Sequence, residues 1–119
     1  MTQENIRLEL LQNNDEVVQL TVTDPNNLVL GVPQPFDLTP GVLSVSVVVK
    51  TSRQTLDSDP ATKTYVATKT VPAQGICQFT VPAADNAVAA RTWWRADVIQ
   101  SAPASRRTVI CGPAEVMAV

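Results

Sequence analysis

The chain alternates. Ile6, Leu8 and Leu10 are separated by Arg7 and Glu9, and Val18, Leu20 and Val22 by Gln19 and Thr21. Leu43, Val45, Val47 and Val49 share one face, with Ser44, Ser46 and Lys50 on the other. Cys77, Phe79 and Val81 oppose Gln78 and Thr80, and Trp94, Ala96 and Val98 oppose Trp93, Arg95 and Asp97. Period two places every second side chain on the same side of a strand, so each segment predicts a strand with one buried face. Lys63 to Thr70 reads as a further strand. A closing pair around Val109 and Val116 is predicted to be split by a turn at Gly112-Pro113.

Turn chemistry falls between these runs. Asn13-Asn14-Asp15 joins the first two strands, and Asp24-Pro25-Asn26-Asn27 is expected to end the second. Pro33, Pro35 and Pro40 make Gly31 to Gly41 a connection or an edge strand, because proline cannot donate to a central ladder. Asp57-Ser58-Asp59-Pro60 reads as a polar loop, and Ala73-Gln74-Gly75 as a turn. The one helical candidate, residues 82–90, opens on proline, is rich in alanine and predicts a single short helix or 3-10 turn. The expected fold is all-β: an immunoglobulin-like antiparallel β-sandwich of about seven to eight strands, in one domain spanning residues 1–119. Residues 1–5 are expected to form a flexible or partner-bound arm.

Composition narrows the chemistry. With 119 residues, 45% hydrophobic and 17% charged, the chain has the make-up of a single folded domain. It contains no histidine, which excludes a Ser-His-Asp or Cys-His triad, a histidine metal site and a histidine pH switch. Nine basic and eleven acidic side chains leave a net charge of −2, with no basic stripe and few aromatics, so nucleic acid is not an expected partner. No apolar run approaches the roughly 20 residues that span a bilayer, and the first residues do not read as a signal peptide. The two cysteines, Cys77 and Cys111, lack a CxxC spacing and read as small buried apolar residues, a disulfide being the alternative.

Candidate sites are sparse. Most of the seven aspartates lie in turns, where they bond their own backbone. Asp57 and Asp59 form a D-x-D that suits calcium, but no full oxygen cage follows and Pro60 reads as a turn breaker. The four glycines are too dispersed to cradle phosphate. No catalytic residue, cofactor or metal ligand is therefore assigned. Trp93-Trp94 is the sharpest feature: adjacent strand residues face opposite ways, so Trp94 is expected in the core and Trp93 partly exposed beside Arg95 and Asp97. Trp93 then either packs under a neighbouring loop or serves as an interface anchor, with a sugar platform as a third reading. Trp93, Arg95 and Arg91 are the candidate contact residues, and Pro33 and Pro35 mark a second docking surface.

Several of these segments resemble a β-sandwich family of tailed-phage and prophage structural proteins, typified by the N-terminal domain of baseplate upper proteins. Asp37-Leu38-Thr39 with Gly41 matches its D-L-T-G motif with Pro40 inserted, and Val45, Val47, Val49 and Lys50 match the strand that follows. Asp85-Asn86-Ala87 matches its short turn, Trp93, Trp94 and Asp97 its aromatic strand, and Arg107, Thr108 and Gly112 its last strand. The resemblance runs from Ile6 to Val119. It departs at Ala90-Arg91, where the family has Pro-Gly, and in a longer proline-rich Val29 to Pro35 connection. It implies a non-enzymatic virion protein, a multi-copy tail, baseplate or neck adaptor or fibre-attachment subunit. Its expected partners are other virion proteins and copies of itself, and its expected place is the virion, assembled in the host cytoplasm. The alternatives are a capsid decoration protein and a host-surface carbohydrate-binding module; a hydrolase is disfavoured for want of a site.

Overall fold

The computed structural model describes residues 6–118; the expected arm over residues 1–5 lies outside the described residues. The described residues are nearly all β, with no helix among them beyond two short 3-10 turns. They form nine strands: β1 (Leu8–Leu11), β2 (Glu16–Thr21), β3 (Thr23–Val29), β4 (Val32–Pro35), β5 (Leu43–Lys50), β6 (Lys63–Val71), β7 (Ile76–Val81), β8 (Ala90–Ser101) and β9 (Ala104–Met117). Seven of them make one continuous sheet in the order β1-β9-β8-β5-β6-β7-β2, and β3 and β4 pair only with each other.

β6 is what folds the sheet over. Its first half pairs with β5, from Lys63↔Val49 to Ala67↔Val45, and its second half pairs with β7, beginning at Thr68↔Gln78. The sheet thus turns back on itself around a single core, to which β1, β2, β5, β6, β7, β8 and β9 all contribute. Trp94, Leu38, Val22, Val45, Val47, Val81 and Cys77 are all but sealed from solvent. The alternation assigned these inward positions correctly in β1, β2, β5, β7 and β8, because one face of each strand meets that core. Cys77 and Cys111 are both buried and not joined by a disulfide; burial pushes Cys77 up to about 11.

Several expectations are corrected. Gly112-Pro113 is not a turn. β9 runs straight through it, opposite Trp94 and Trp93. Gly112 is there for space: the chain at Ile6 crosses directly over it, and a Cβ on residue 112 would stand 2.1 Å from the Ile6 carbonyl oxygen. The Ile6 amide donates to the Cys111 carbonyl at 3.1 Å, and the Trp94 indole N–H donates to the Ile6 carbonyl at 2.8 Å. Ile6, expected on the buried face of the first strand, precedes β1 and its side chain is exposed. β1 runs parallel to β9, where an antiparallel sheet was expected.

Of the short helix or 3-10 turn expected over residues 82–90, the 3-10 turn is formed, at Ala83–Asn86, and β8 already begins at Ala90. Asp15 holds that turn, its carboxylate accepting the Ala83 N–H at 2.7 Å. Asp24 to Asn27 does not end a strand; it is an irregularity inside β3, where Asp24 accepts the Asn26 N–H at 2.9 Å.

Candidate interaction surfaces

Three surfaces carry the residues singled out in the sequence. The first is the outer face of β5, β8 and β9. Register sets Ser46 opposite Asp97, Val48 opposite Arg95 and Lys50 opposite Trp93. A half-buried strand would leave these side chains in water. Instead Ser46, Val48, Lys50 and Asp97 are all buried, and the β5–β6 loop, residues 51–62, reaches this face through Asp57, which binds Arg95 and Lys50. The loop is braced by its own bonds, among them Asp59 N–H to the Leu56 carbonyl and Thr62 N–H to the Asp59 carbonyl.

One carboxylate fastens it. Arg95 grips Asp57 with both terminal nitrogens, Nη1 standing 2.7 Å from Oδ1, while its Nε donates to Asp97 at 2.9 Å. Lys50 Nζ lies 3.4 Å from Asp57 and donates to the Thr55 carbonyl at 2.9 Å. Arg106 approaches both carboxylates, at 3.8 and 3.5 Å. Asp97 is fully enclosed and also accepts the Thr108 hydroxyl at 2.7 Å. An enclosed carboxylate is tolerated here because Arg95 and Thr108 both donate to it. The Arg95 hydrogen bond, helped by Lys50, holds Asp57 well below the usual carboxylate range, and Asp57 in turn raises Arg95.

Thr108 sits opposite Asp97 through a bulge. Ala96 pairs with Ile110 and Asp97 with Thr108, so Val109 is the extra residue. Val109 and Ile110 are then both buried in the core, which strict alternation forbids and a bulge allows. Trp93, the sharpest candidate in the sequence, is half-buried, with the Arg53 guanidinium of the covering loop 5.1 Å from its ring centroid. The packing of Trp93 against a neighbouring loop is the arrangement observed, and Arg95 is spent on internal ion pairs. Sequence reasoning, which read Asp57 as one aspartate of a polar loop, missed its clamp because Arg95 lies 38 residues away; the available signal was Lys50 closing an apolar strand.

The second surface is an open groove of about 320 Å³ beside the end of β8, holding Arg91. Arg91 faces Glu115 across the β8–β9 ladder, but Glu115 is paired with Arg7, which also bonds Glu9 at 3.1 Å. The groove therefore offers an exposed guanidinium on a shallow floor.

The third is the β3–β4 hairpin, which holds Pro33 and Pro35. It is an edge ribbon, as the prolines require, but a projecting one. Leu28, Val29, Leu30 and Val32 are exposed, Leu30 at 99%. Its root is fixed: the Phe36 amide donates to the Val22 carbonyl at 2.8 Å, and Leu38 enters the core. Residues 25–36 contain no charged side chain. The tip Leu30-Gly31 has φ of +52° and +78°, the two-residue turn whose twist suits a hairpin.

Among the described residues, no group of three or more His, Cys, Asp or Glu is placed to hold a metal ion, and no helix is long and apolar enough to cross a membrane. No known protein-family model matches the chain, and no curated protein matches it.

Proposed function

We propose that this chain is an immunoglobulin-like β-sandwich acting as a non-enzymatic structural subunit of a tailed-phage particle, an adaptor held among other virion proteins. The observation that carries the reading is the uncharged hairpin arm, rooted in a rigid β body and apolar at its tip. A binding part needs such an arm; a lone monomer is only burdened by it. Two ladders sharing β6 around one core, with the first strand beside the last, suit a sandwich of this size.

The residues behind the family resemblance support a structural role in the same way. Asp37 accepts both the amide and the hydroxyl of Thr39, Leu38 is enclosed in the core, and Asp97 locks Arg95 and Thr108. Each is engaged in making the fold. The Arg53 guanidinium above Trp93 occupies the position a sugar ring would need, which disfavours the carbohydrate-binding alternative.

The test is direct. Mass spectrometry of purified particles from the phage or prophage that encodes the chain is expected to find it at many copies per virion. Particles that lack it overturn the reading.

A further inference from the structure

The β5–β6 loop is fastened at its surface. None of residues 51–62 is buried, and Leu56, its one large apolar side chain, is 72% exposed. A loop without an apolar anchor depends on its polar ties. Here those are Asp57 on Arg95, Lys50 and Arg106, the Thr55 carbonyl on Lys50, and Arg53 over Trp93. A half-exposed ion pair favours the closed form only about fivefold, so such a latch opens and closes readily.

What Asp57 grips is built like a receptor. The enclosed Asp97 accepts the Arg95 Nε–H at 2.9 Å and the Thr108 hydroxyl at 2.7 Å, which fixes the guanidinium and leaves its two terminal nitrogens for the loop. Those nitrogens hold both oxygens of Asp57 at once, the fork that matches a carboxylate. The Arg95 side chain is 15% exposed, so these bonds form where water screens them less. Lys50 and Arg106 stand 3.4 and 3.8 Å from the same carboxylate. With Asp57 withdrawn, these three cations share the one enclosed carboxylate of Asp97, an excess of two positive charges. The cations belong to the strands, and the carboxylate that fills them belongs to a detachable loop.

We propose that Arg95, Lys50 and Arg106 form a carboxylate-binding site on the outer face of β5, β8 and β9. Asp57 fills it as an internal stand-in, and an acidic side chain of a partner protein enters by displacing the loop. Carboxylate is the ligand class because one already sits there in the paired geometry. The Arg95 bond to Asp97 stays in place, and only the bond to Asp57 is exchanged. The proposal goes beyond the reading of the chain as a virion part and does not depend on it, since charge alone defines the partner.

The test removes the stand-in. Asp57→Ala is expected to lower the melting temperature by a few degrees. Sodium acetate at about 100 mM is expected to restore at least half of that loss, where sodium chloride of the same strength restores none. Asp57→Asn gives the same readout if the alanine variant fails to fold. In NMR titrations followed at the Arg95 Nε–H, a capped tri-aspartate peptide is expected to bind Asp57→Ala about fivefold more tightly than the unaltered chain, the factor by which the latch competes. The same peptide is expected to bind Asp57→Ala more tightly than acetate does. Arg106→Gln, a change at an exposed side chain, is expected to weaken the peptide about twofold with the fold intact.

No recovery in acetate beyond that in chloride overturns the site. Recovery in phosphate but not in acetate overturns the carboxylate assignment. Equal peptide affinity for Asp57→Ala and the unaltered chain overturns the displacement, and a peptide no better than acetate overturns the protein partner. The particle assignment is untouched by any of these results and rests on mass spectrometry.

Discussion

At the scale of single residues, the positions that decide the fold are those where two backbones or two charges come closest. Gly112 is one. Alanine there would push the Ile6 segment off β9 and cost about 2–3 kcal/mol by overpacking. Trp94→Phe removes the indole donor and the five-membered ring, leaving the Ile6 carbonyl without that bond, for about 1 kcal/mol, and a void in the core, for about 1–2 kcal/mol more. Urea unfolding followed by circular dichroism is expected to show both losses. Accelerated hydrogen exchange at the Ile6 amide in both variants ties the loss to that crossing. Sequence reasoning found Trp94 but misread Gly112, because glycine before proline is the commonest spelling of a turn. Only the crossing chain, more than a hundred residues away, tells the two apart.

At the scale of elements, the strands were legible and their covers were not. β1, β2, β5, β7 and β8 each declared themselves by alternation, since each turns one face to a shared core. The outer faces of β5 and β8 carry the same alternation, yet Ser46, Val48, Lys50 and Asp97 on them are buried, and the polar loop at residues 51–62 reaches Lys50, Trp93 and Arg95 there. The β3–β4 hairpin left no alternation: its outer part, Leu28 to Pro33, is exposed on both sides, and only its root, at Thr23, Asp24, Gln34 and Pro35, is half-buried. The clamp on that loop separates two carboxylates that look alike in the sequence. Asp57 is half-exposed, so Asp57→Ala is expected to cost about 1 kcal/mol and to release the loop, with a red-shifted and more quenchable Trp93 emission. Asp97 is enclosed, and Asp97→Ala leaves Arg95 and Thr108 facing a void, for about 3–5 kcal/mol. Thermal melts of the two variants are expected to differ by that margin.

At the scale of the whole molecule, stability is bounded on both sides of neutrality. Asp57 and Asp37 are held below 3.8 in the fold, Asp57 by Arg95 and Asp37 by the Thr39 hydroxyl and amide. Above about pH 4 both are ionised whether folded or not, so their contribution is complete. Below it the unfolded chain takes up protons first, and that contribution drains away. Tyr65 works in the opposite direction. Burial, with the hydrogen bond from its hydroxyl to Asp85 at 2.9 Å, raises it above its ordinary 10.0. The unfolded chain therefore loses that proton first, and stability falls as pH rises past about 10. A melting-temperature profile is expected to be flat between these limits and to drop outside them, with Asp57→Asn flattening the acid limb alone.

The parallel pairing of β1 with β9 has a mechanical consequence. Leu8 meets Ala114 and Leu11 meets Met117, so the chain enters β1 at one end of the ladder and leaves β9 at the other. Tension between those two ends slides the strands lengthwise and loads every rung at once, whereas antiparallel neighbours pulled from one end open like a zip, rung by rung. Stretched by optical tweezers through handles ahead of Leu8 and after Met117, the domain is expected to resist in one abrupt rupture. The same molecule pulled across the β8–β9 hairpin is expected to yield at lower force. A domain wired this way carries load along its chain through the β1–β9 ladder.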